Sequence, residues 1–325
     1  MRKSVIVVVL LAFAPPAQAQ QLARTVRFSV DNDFFDFWIP THGRADNDYS
    51  QGMRVSWDDS GVPSKGKRLV CGNRSACGLN FEVGQEMYTP DIDSPTPVPG
   101  ERPYAGWLYG RAAIRTADEG MERSIGLTAG VTGPPSLGER VQVAFHHTFG
   151  FRQPMGWKYQ LATEPAFALE AEQSWRVAPE AVARFADFVP SVGVTVGTLR
   201  TAAKAGGRLR FGFGLDHPWL ATRSRNPVTL QVFVGGHVEG VARDLFLDGN
   251  TFQNSVHVDG ETFRSEWERG VRIGARRLTL EYAVVSQSRE YRTGPAAHTY
   301  ATLAVEWTMK LPDSSRRNGA ALQLH

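Results

Sequence analysis

Cysteine is almost absent: Cys71 and Cys77 are the only two in 325 residues. That is too few for a disulfide scaffold, and a zinc site would need two further ligands close by, which the flanking sequence does not offer. In an oxidising compartment, two thiols with five residues between them, CGNRSAC, close a small loop as a disulfide. Charge of one sign is equally scarce. Thirty-six Lys and Arg against 33 Asp and Glu leave a formal charge of +3. With no basic run either, nucleic acid is excluded as a partner. Long apolar runs are missing too: no stretch can cross a bilayer as a helix. The mean hydropathy of −0.28 suits a soluble protein. It suits a membrane β-barrel equally well, because half of a barrel's residues face a polar lumen.

What is present begins with an export signal. Arg2 and Lys3 form a charged start, Val5 to Ala14 an apolar core, and Ala17-Gln18-Ala19 a small-x-small cleavage site before Gln20. Residues 1–19 are therefore expected to be removed. Residues 20–311 are expected to form one outer-membrane barrel, followed by a polar, disordered tail over residues 312–325. The barrel expectation rests on period-two alternation, which puts successive side chains on opposite faces of a strand. Val26, Phe28 and Val30 alternate with Arg27, Ser29 and Asp31, and Met53, Val55 and Trp57 with Gly52, Arg54 and Ser56. Leu79, Phe81 and Val83 continue the pattern, as do Ile125 to Val131, Val192 to Val196, Leu209 to Phe213, Leu278 to Val284 and Leu303 to Met309. A soluble sandwich also alternates. Here the alternation runs nearly end to end, and short turns such as Ala117-Asp118-Glu119-Gly120 alternate with long loops, as in membrane barrels. The predicted fold is all-β: a transmembrane antiparallel barrel of about twelve strands with a short helix in an extracellular loop.

That helix lies in residues 133–164, a connection too long for a turn and too rich in apolar residues for disorder. From Leu137 to Phe149, Val141, Phe145 and Phe149 fall at i, i+4 and i+8 on one helical face. Gln142 and His146 share the same spacing and project together from a neighbouring face. On spacing alone His146 reads first as an idle loop histidine, and His147 is an equally available imidazole. Other features have bland readings of their own. Asp46 and Asp48 read first as solvated loop carboxylates, and Asp248-Gly249-Asn250 as a turn. Tyr88, Tyr104, Trp107 and Trp157 read as interfacial girdle or packing residues.

The N-terminus starts in the periplasm, so Asn32-Asp33, the segment around Asp48 and Ser50, the connection 89–103 and the helix-bearing loop all gather at the extracellular rim. In order along the chain come DNDFFDFW, DYSQG, GQEMYTP, RPYAGWLYG, GPPSLGERVQ with a His four residues beyond the Gln, and FLDGNTF. This ordered set, covering essentially the whole mature chain, resembles the outer-membrane lipid A 3'-O-deacylase family. The resemblance implies a twelve-stranded barrel with its active site at the extracellular end, acting on lipid A within lipopolysaccharide among outer-membrane lipids, with Ca2+ as cofactor. Residue by residue, Asn32 and Asp33 match the family's metal-binding pair, and Ser50 stands where Thr is more usual. Gln142 and His146 match the Gln-x-x-x-His of the catalytic helix, and Arg102 matches a basic residue near the site, suited to lipid phosphates. An acidic residue expected shortly after the His is replaced by Arg152 and Gln153, and Val141 stands in place of a polar neighbour of the Gln.

The chemistry of the residues agrees with ester hydrolysis. Neutral imidazole is a general base near pH 7, oxygen donors suit a hard cation, and no Ser sits in a nucleophile elbow. Strict alternation from Phe28 and Val30 turns Asn32 outward and Asp31 and Asp33 inward; a strand end or bulge at Asn32 would remove the conflict, and Asp31 remains a rival ligand. A monomer is expected. The alternatives are a phospholipase-type esterase on the same architecture, or a non-enzymatic barrel serving as channel or adhesin.

Overall fold

The structure, a computed structural model, describes residues 23–33, 48–59, 76–220 and 228–310. The expected signal peptide, the polar tail, Asp46 and Cys71 lie outside these residues. Cys77 is disulfide-bonded.

Twelve strands make the wall: β1 Ala23–Asn32, β2 Asp48–Asp59, β3 Ala76–Thr89, β4 Ala105–Ala117, β5 Met121–Thr132, β6 Pro165–Trp175, β7 Ala186–Gly197, β8 Arg200–Phe213, β9 Val228–Asp244, β10 Phe263–Ala275, β11 Leu278–Ser288 and β12 Ala297–Lys310. Each pairs antiparallel with its sequence neighbour, and β1 closes on β12 from Ala23↔Lys310 to Asn32↔Ala301. Closure leaves no strand edge to aggregate. Helix α1, Gly138–Phe149, lies in the β5–β6 connection, and a single turn, α2 Leu245–Asp248, in the β9–β10 connection. The turn read at Asp248-Gly249-Asn250 is the end of α2, with Gly249 as its C-cap.

The alternation sorts the wall chemically. Phe28, Val55, Val83, Ile125, Phe167 and Trp267 stand out from it, with Val83 63 % exposed, as they must where hydrocarbon is the solvent. The alternate residues turn into the lumen and are charged. Arg27 pairs with Glu281 at 2.8 Å, Arg272 with Glu306 at 2.8 Å, Arg208 with Glu268 at 2.7 Å and Arg210 with Asp187 at 2.6 Å. Charges withdrawn from water have to be paired. These pairs join strands one or two apart around the inner wall.

The connections β1–β2, β3–β4, β5–β6, β7–β8, β9–β10 and β11–β12 share the rim opposite the chain termini. At the other rim the turn after β4 is closed by Asp118, whose Oδ1 accepts from Gly120 N at 3.0 Å and Met121 N at 2.9 Å.

Candidate active site

Four residues on adjacent strands form a row at the loop-rich rim: Asn32 is the register partner of Gln51, Gln51 of Met87, and Met87 of Gly106. Counting by twos from Phe28, Val55, Val83 and Ile114, all four point out of the barrel. Asn32 and Met87 are nevertheless buried, and over Met87 the β5–β6 connection folds back against the outside of the wall. Trp157 and Tyr104 pack on Met87 with Val141 beside them, and Gln85 donates its amide to the Ser136 carbonyl at 2.6 Å. Gly106 permits the closest approach. A Cβ there would lie 2.1 Å from Ser136 Oγ and 3.4 Å from the Cα of Gly138, the first residue of α1.

The outward turn of Asn32 is therefore no conflict. The β1–β2 register runs unbroken through Asn32↔Gln51, without the bulge at Asn32 that the sequence invited. The bulge lies one strand over, between Tyr49 and Gln51 in the β2–β3 pairing, with Ser50 as the extra residue. A bulge re-aims a side chain. Ser50 Oγ lies 2.5 Å from Thr89 Oγ1. Asp31 faces the lumen, where its carboxylate accepts from Tyr49 Oη at 2.8 Å, Thr302 Oγ1 at 2.9 Å and Arg54 Nη2 at 2.5 Å. Fully engaged on the other side of the wall, Asp31 is separated from Asn32 by the pleat itself.

Helix α1 reverses the usual amphipathic arrangement. Its buried line is Gly138, Gln142 and His146, whereas Phe149 is 58 % exposed. Of the apolar face that the spacing picks out, Val141 packs beside Met87 and Trp157 and Phe145 is half-buried, while Phe149 is left exposed. Trp157 Nε1 donates to Gln142 Oε1 at 2.6 Å. Indole N–H only donates, so this contact fixes the amide orientation and aims Gln142 Nε2 away from Trp157. Gly150 ends the helix at φ 73°, a left-handed cap, and its N–H bonds back to the His146 carbonyl. The reversal returns the chain so that the Arg152 carbonyl meets His146 Nδ1. A carbonyl only accepts, so Nδ1 carries the proton and Nε2 of neutral His146 is the basic nitrogen. The carbonyl of Arg152 thus orients the ring at the place where an acidic side chain was expected. His147 is exposed.

Arg102 takes a different place. Its Nη1 donates to Glu290 Oε2 at 2.7 Å and lies 3.4 Å from Asp48 Oδ1, and its guanidinium sits 4.8 Å over the Tyr88 ring. Tyr88 stacks on Phe246 and donates to Glu86, a lumen-side residue. Burial alone would lower the Arg102 pKa, but the Glu290 and Asp48 carboxylates outweigh it and hold the group above its ordinary value. Arg102 therefore faces the Glu290 and Asp48 carboxylates, and it lines a cavity with Tyr104, Gly156 and Tyr159. Asp48 departs from expectation as well: it is buried at the start of β2, not a solvated loop carboxylate. Tyr104, Trp107 and Trp157 are buried packing residues rather than an exposed girdle.

Asn32 thus lies on the outer row and Ser50 beside Thr89, Gln142 and His146 lie on the buried line of α1, Asp33 follows the end of β1, and Arg102 sits with Glu290 and Asp48. Strands lie about 4.8 Å apart, so Asn32 is about 10 Å along the row from Met87, on which the α1 loop rests. Among the described residues no three His, Cys, Asp or Glu side chains cluster as a metal site. The donors of Asn32, Asp33 and Ser50 are all oxygen, which is the donor chemistry a calcium ion takes. Trp157, the Arg152 carbonyl and Gly106 escaped sequence reasoning. Nothing in the order of residues links Gln142 to Trp157 or His146 to a backbone oxygen.

A search of the curated proteins finds no sequence match. Among solved structures, LpxR from Salmonella typhimurium superposes with a TM-score of 0.74 at 21 % identity, covering 87 % of this chain and 99 % of that one. At that identity the likeness concerns the fold. The beta domain of the Bordetella autotransporter Brka is far looser, with a TM-score of 0.43 at 11 % identity over 90 % of this chain and 100 % of that one. The family profile described as outer membrane protein LpxR matches residues 5–309, nearly the whole chain, and agrees with the family to which the motifs pointed. The chain belongs to the LpxR family of outer membrane proteins.

Proposed function

We propose that this protein is a lipid A 3'-O-deacylase of the outer membrane, hydrolysing the 3'-linked acyl ester at the extracellular rim with His146 as general base. The observation that carries this is the position of His146. It lies on the buried line of a helix packed against the outside of the wall, with its proton held on Nδ1. A lipid in the outer leaflet reaches an outer-face site by lateral movement, without leaving the bilayer or entering the lumen.

His146 Nε2 takes a proton from water as that water attacks the ester carbonyl. The imidazolium then returns the proton to the departing 3'-oxygen, leaving a free fatty acid and a 3'-hydroxyl. Gln142, locked by Trp157, offers its amide N–H one helical turn from the base. Asn32, Asp33 and Ser50 would hold a calcium ion. When bound, the ion supplies positive charge against the oxyanion that develops on the carbonyl.

The test is mass spectrometry of lipid A incubated with the purified barrel. His146→Ala should slow deacylation about 10²–10⁴-fold, as loss of a general base does, while heat-modifiable migration shows the barrel intact. His147→Ala, altering an exposed neighbour, should stay within a few-fold of wild type. Full activity in His146→Ala would exclude this mechanism, and inactivity of His147→Ala alone would move the base by one residue.

A further inference from the structure

We propose that Phe145, Phe149 and Phe151 form the contact for the substrate's scissile acyl chain, an inference that rests on the deacylase assignment and adds the residues that hold the hydrocarbon. The three rings make one cluster, with centroids 4.6 Å apart for Phe145–Phe149, 6.0 Å for Phe145–Phe151 and 6.3 Å for Phe149–Phe151. The cluster surrounds the base on one side. The His146 ring is 5.8 Å from Phe151, edge to face, and 6.4 Å from Phe145.

These phenylalanines belong to none of the buried cores, and Phe149 is 58 % exposed at the end of the same helix whose Gln and His are buried. Phe145 and Phe151 are half-buried, and with exposed Phe149 they present one apolar surface beside the base. Two features select its partner. The cluster sits on a loop laid over the outer wall, whose outward residues such as Val83 and Leu127 are exposed and apolar, so hydrocarbon is the phase that this face meets. Contact with His146 narrows the hydrocarbon further. A chain lying on these rings has its ester end next to the imidazole, whereas a bulk lipid chain gains nothing from that position. Three phenyl rings offer no hydrogen bond to a sugar or a phosphate, so the acyl chain is the part of lipid A that they fit.

The experiment uses two synthetic lipid A substrates that differ only in the length of the 3'-linked chain. In wild type the longer chain should have the higher kcat/KM. Phe149→Ser should cut the long-to-short ratio about 10-fold, the loss of roughly one apolar contact of this size. Phe149→Leu should restore most of it. An unchanged ratio, or equal losses on both substrates, would overturn the assignment. A lipid A analogue with a diazirine in its 3'-chain, cross-linked to the full-length protein, gives a readout that needs no turnover. Adducts on residues 145–151 are expected, and adducts confined to the belt around Val83 and Leu127 would overturn the proposal. Adducts at 145–151 without hydrolysis would retain the chain contact and reject the deacylase assignment instead.

Discussion

Among the contacts that hold helix α1 on the wall is one that a methyl group can break. In Gly106→Ala the new Cβ lies 2.1 Å from Ser136 Oγ and 3.2 Å from Ser136 Cβ. Ser136 cannot swing aside, because it is fully buried and its hydroxyl donates to the Gly133 carbonyl at 2.6 Å. The start of α1 must therefore lift by about 1 Å to restore ordinary contact. Overpacking of this kind costs about 1–3 kcal/mol, here charged to the docked loop rather than to the barrel wall. A catalytic group misplaced by about 1 Å loses about 10²-fold in rate. Gly106→Ala should thus lower lipid A deacylation by up to about 10²-fold, read by mass spectrometry, with heat-modifiable migration unchanged. The double variant Gly106→Ala, Ser136→Gly removes both clashing atoms and leaves Gly138 Cα at 3.4 Å, an ordinary contact. It loses the Ser136 hydrogen bond, worth about 1 kcal/mol, so activity should return to within about 5-fold of wild type. Wild-type activity in Gly106→Ala, or a double variant as inactive as the single one, would refute the docking of α1 on β4 as the basis of the site.

How legible the site was depends on which physical scale carries each part. Alternation is local. The period-two faces of Val26–Val30, Met53–Trp57 and Ile125–Val131 announce the barrel, and the strands found include them. Strand β4 shows a weaker pattern because its outer face is Gly106, Leu108, Gly110 and Ala112, with little apolar contrast to its neighbours. The helix was legible for the same local reason, expected from Leu137 to Phe149 and found from Gly138 to Phe149. What alternation cannot report is the side of the wall on which function lies. It turned Asn32 outward correctly, and that was an inconsistency only while the site was assumed to open into the barrel. The side on which α1 lies is decided by Gly106 meeting Ser136 and Gly138, some thirty residues on, and by Trp157 closing over Met87. Asp48 reads wrongly as solvated for a related reason, since its partner Arg102 lies 54 residues on. Glu290, which binds Arg102, is 188 residues away along the chain, and no local pattern pairs them.

The remaining predictions concern the two ends of the outer row. Trp157→Phe keeps a ring over Met87 but deletes the N–H that holds Gln142, and a lost buried hydrogen bond of about 1–2 kcal/mol should slow deacylation roughly 10-fold with the barrel intact. At the other end, calcium affinity measured by titration calorimetry on the folded barrel separates the two neighbouring candidates, Asn32 and Asp31. If the cation is held on the outer face, Asn32→Ala removes a donor and should weaken affinity by at least about 10-fold, the scale at which even indirect ligand partners act. Asp31→Asn should leave that affinity within a few-fold of wild type, because Asp31 lies behind the pleat and accepts from Tyr49, Thr302 and Arg54. Its effect should appear instead as easier thermal unfolding, since Arg54 then keeps a charge without its carboxylate inside the wall. The opposite pattern, with calcium lost in Asp31→Asn and kept in Asn32→Ala, would put the cation in the lumen. A catalytic helix on the outside of the wall would then have no electrophile beside it.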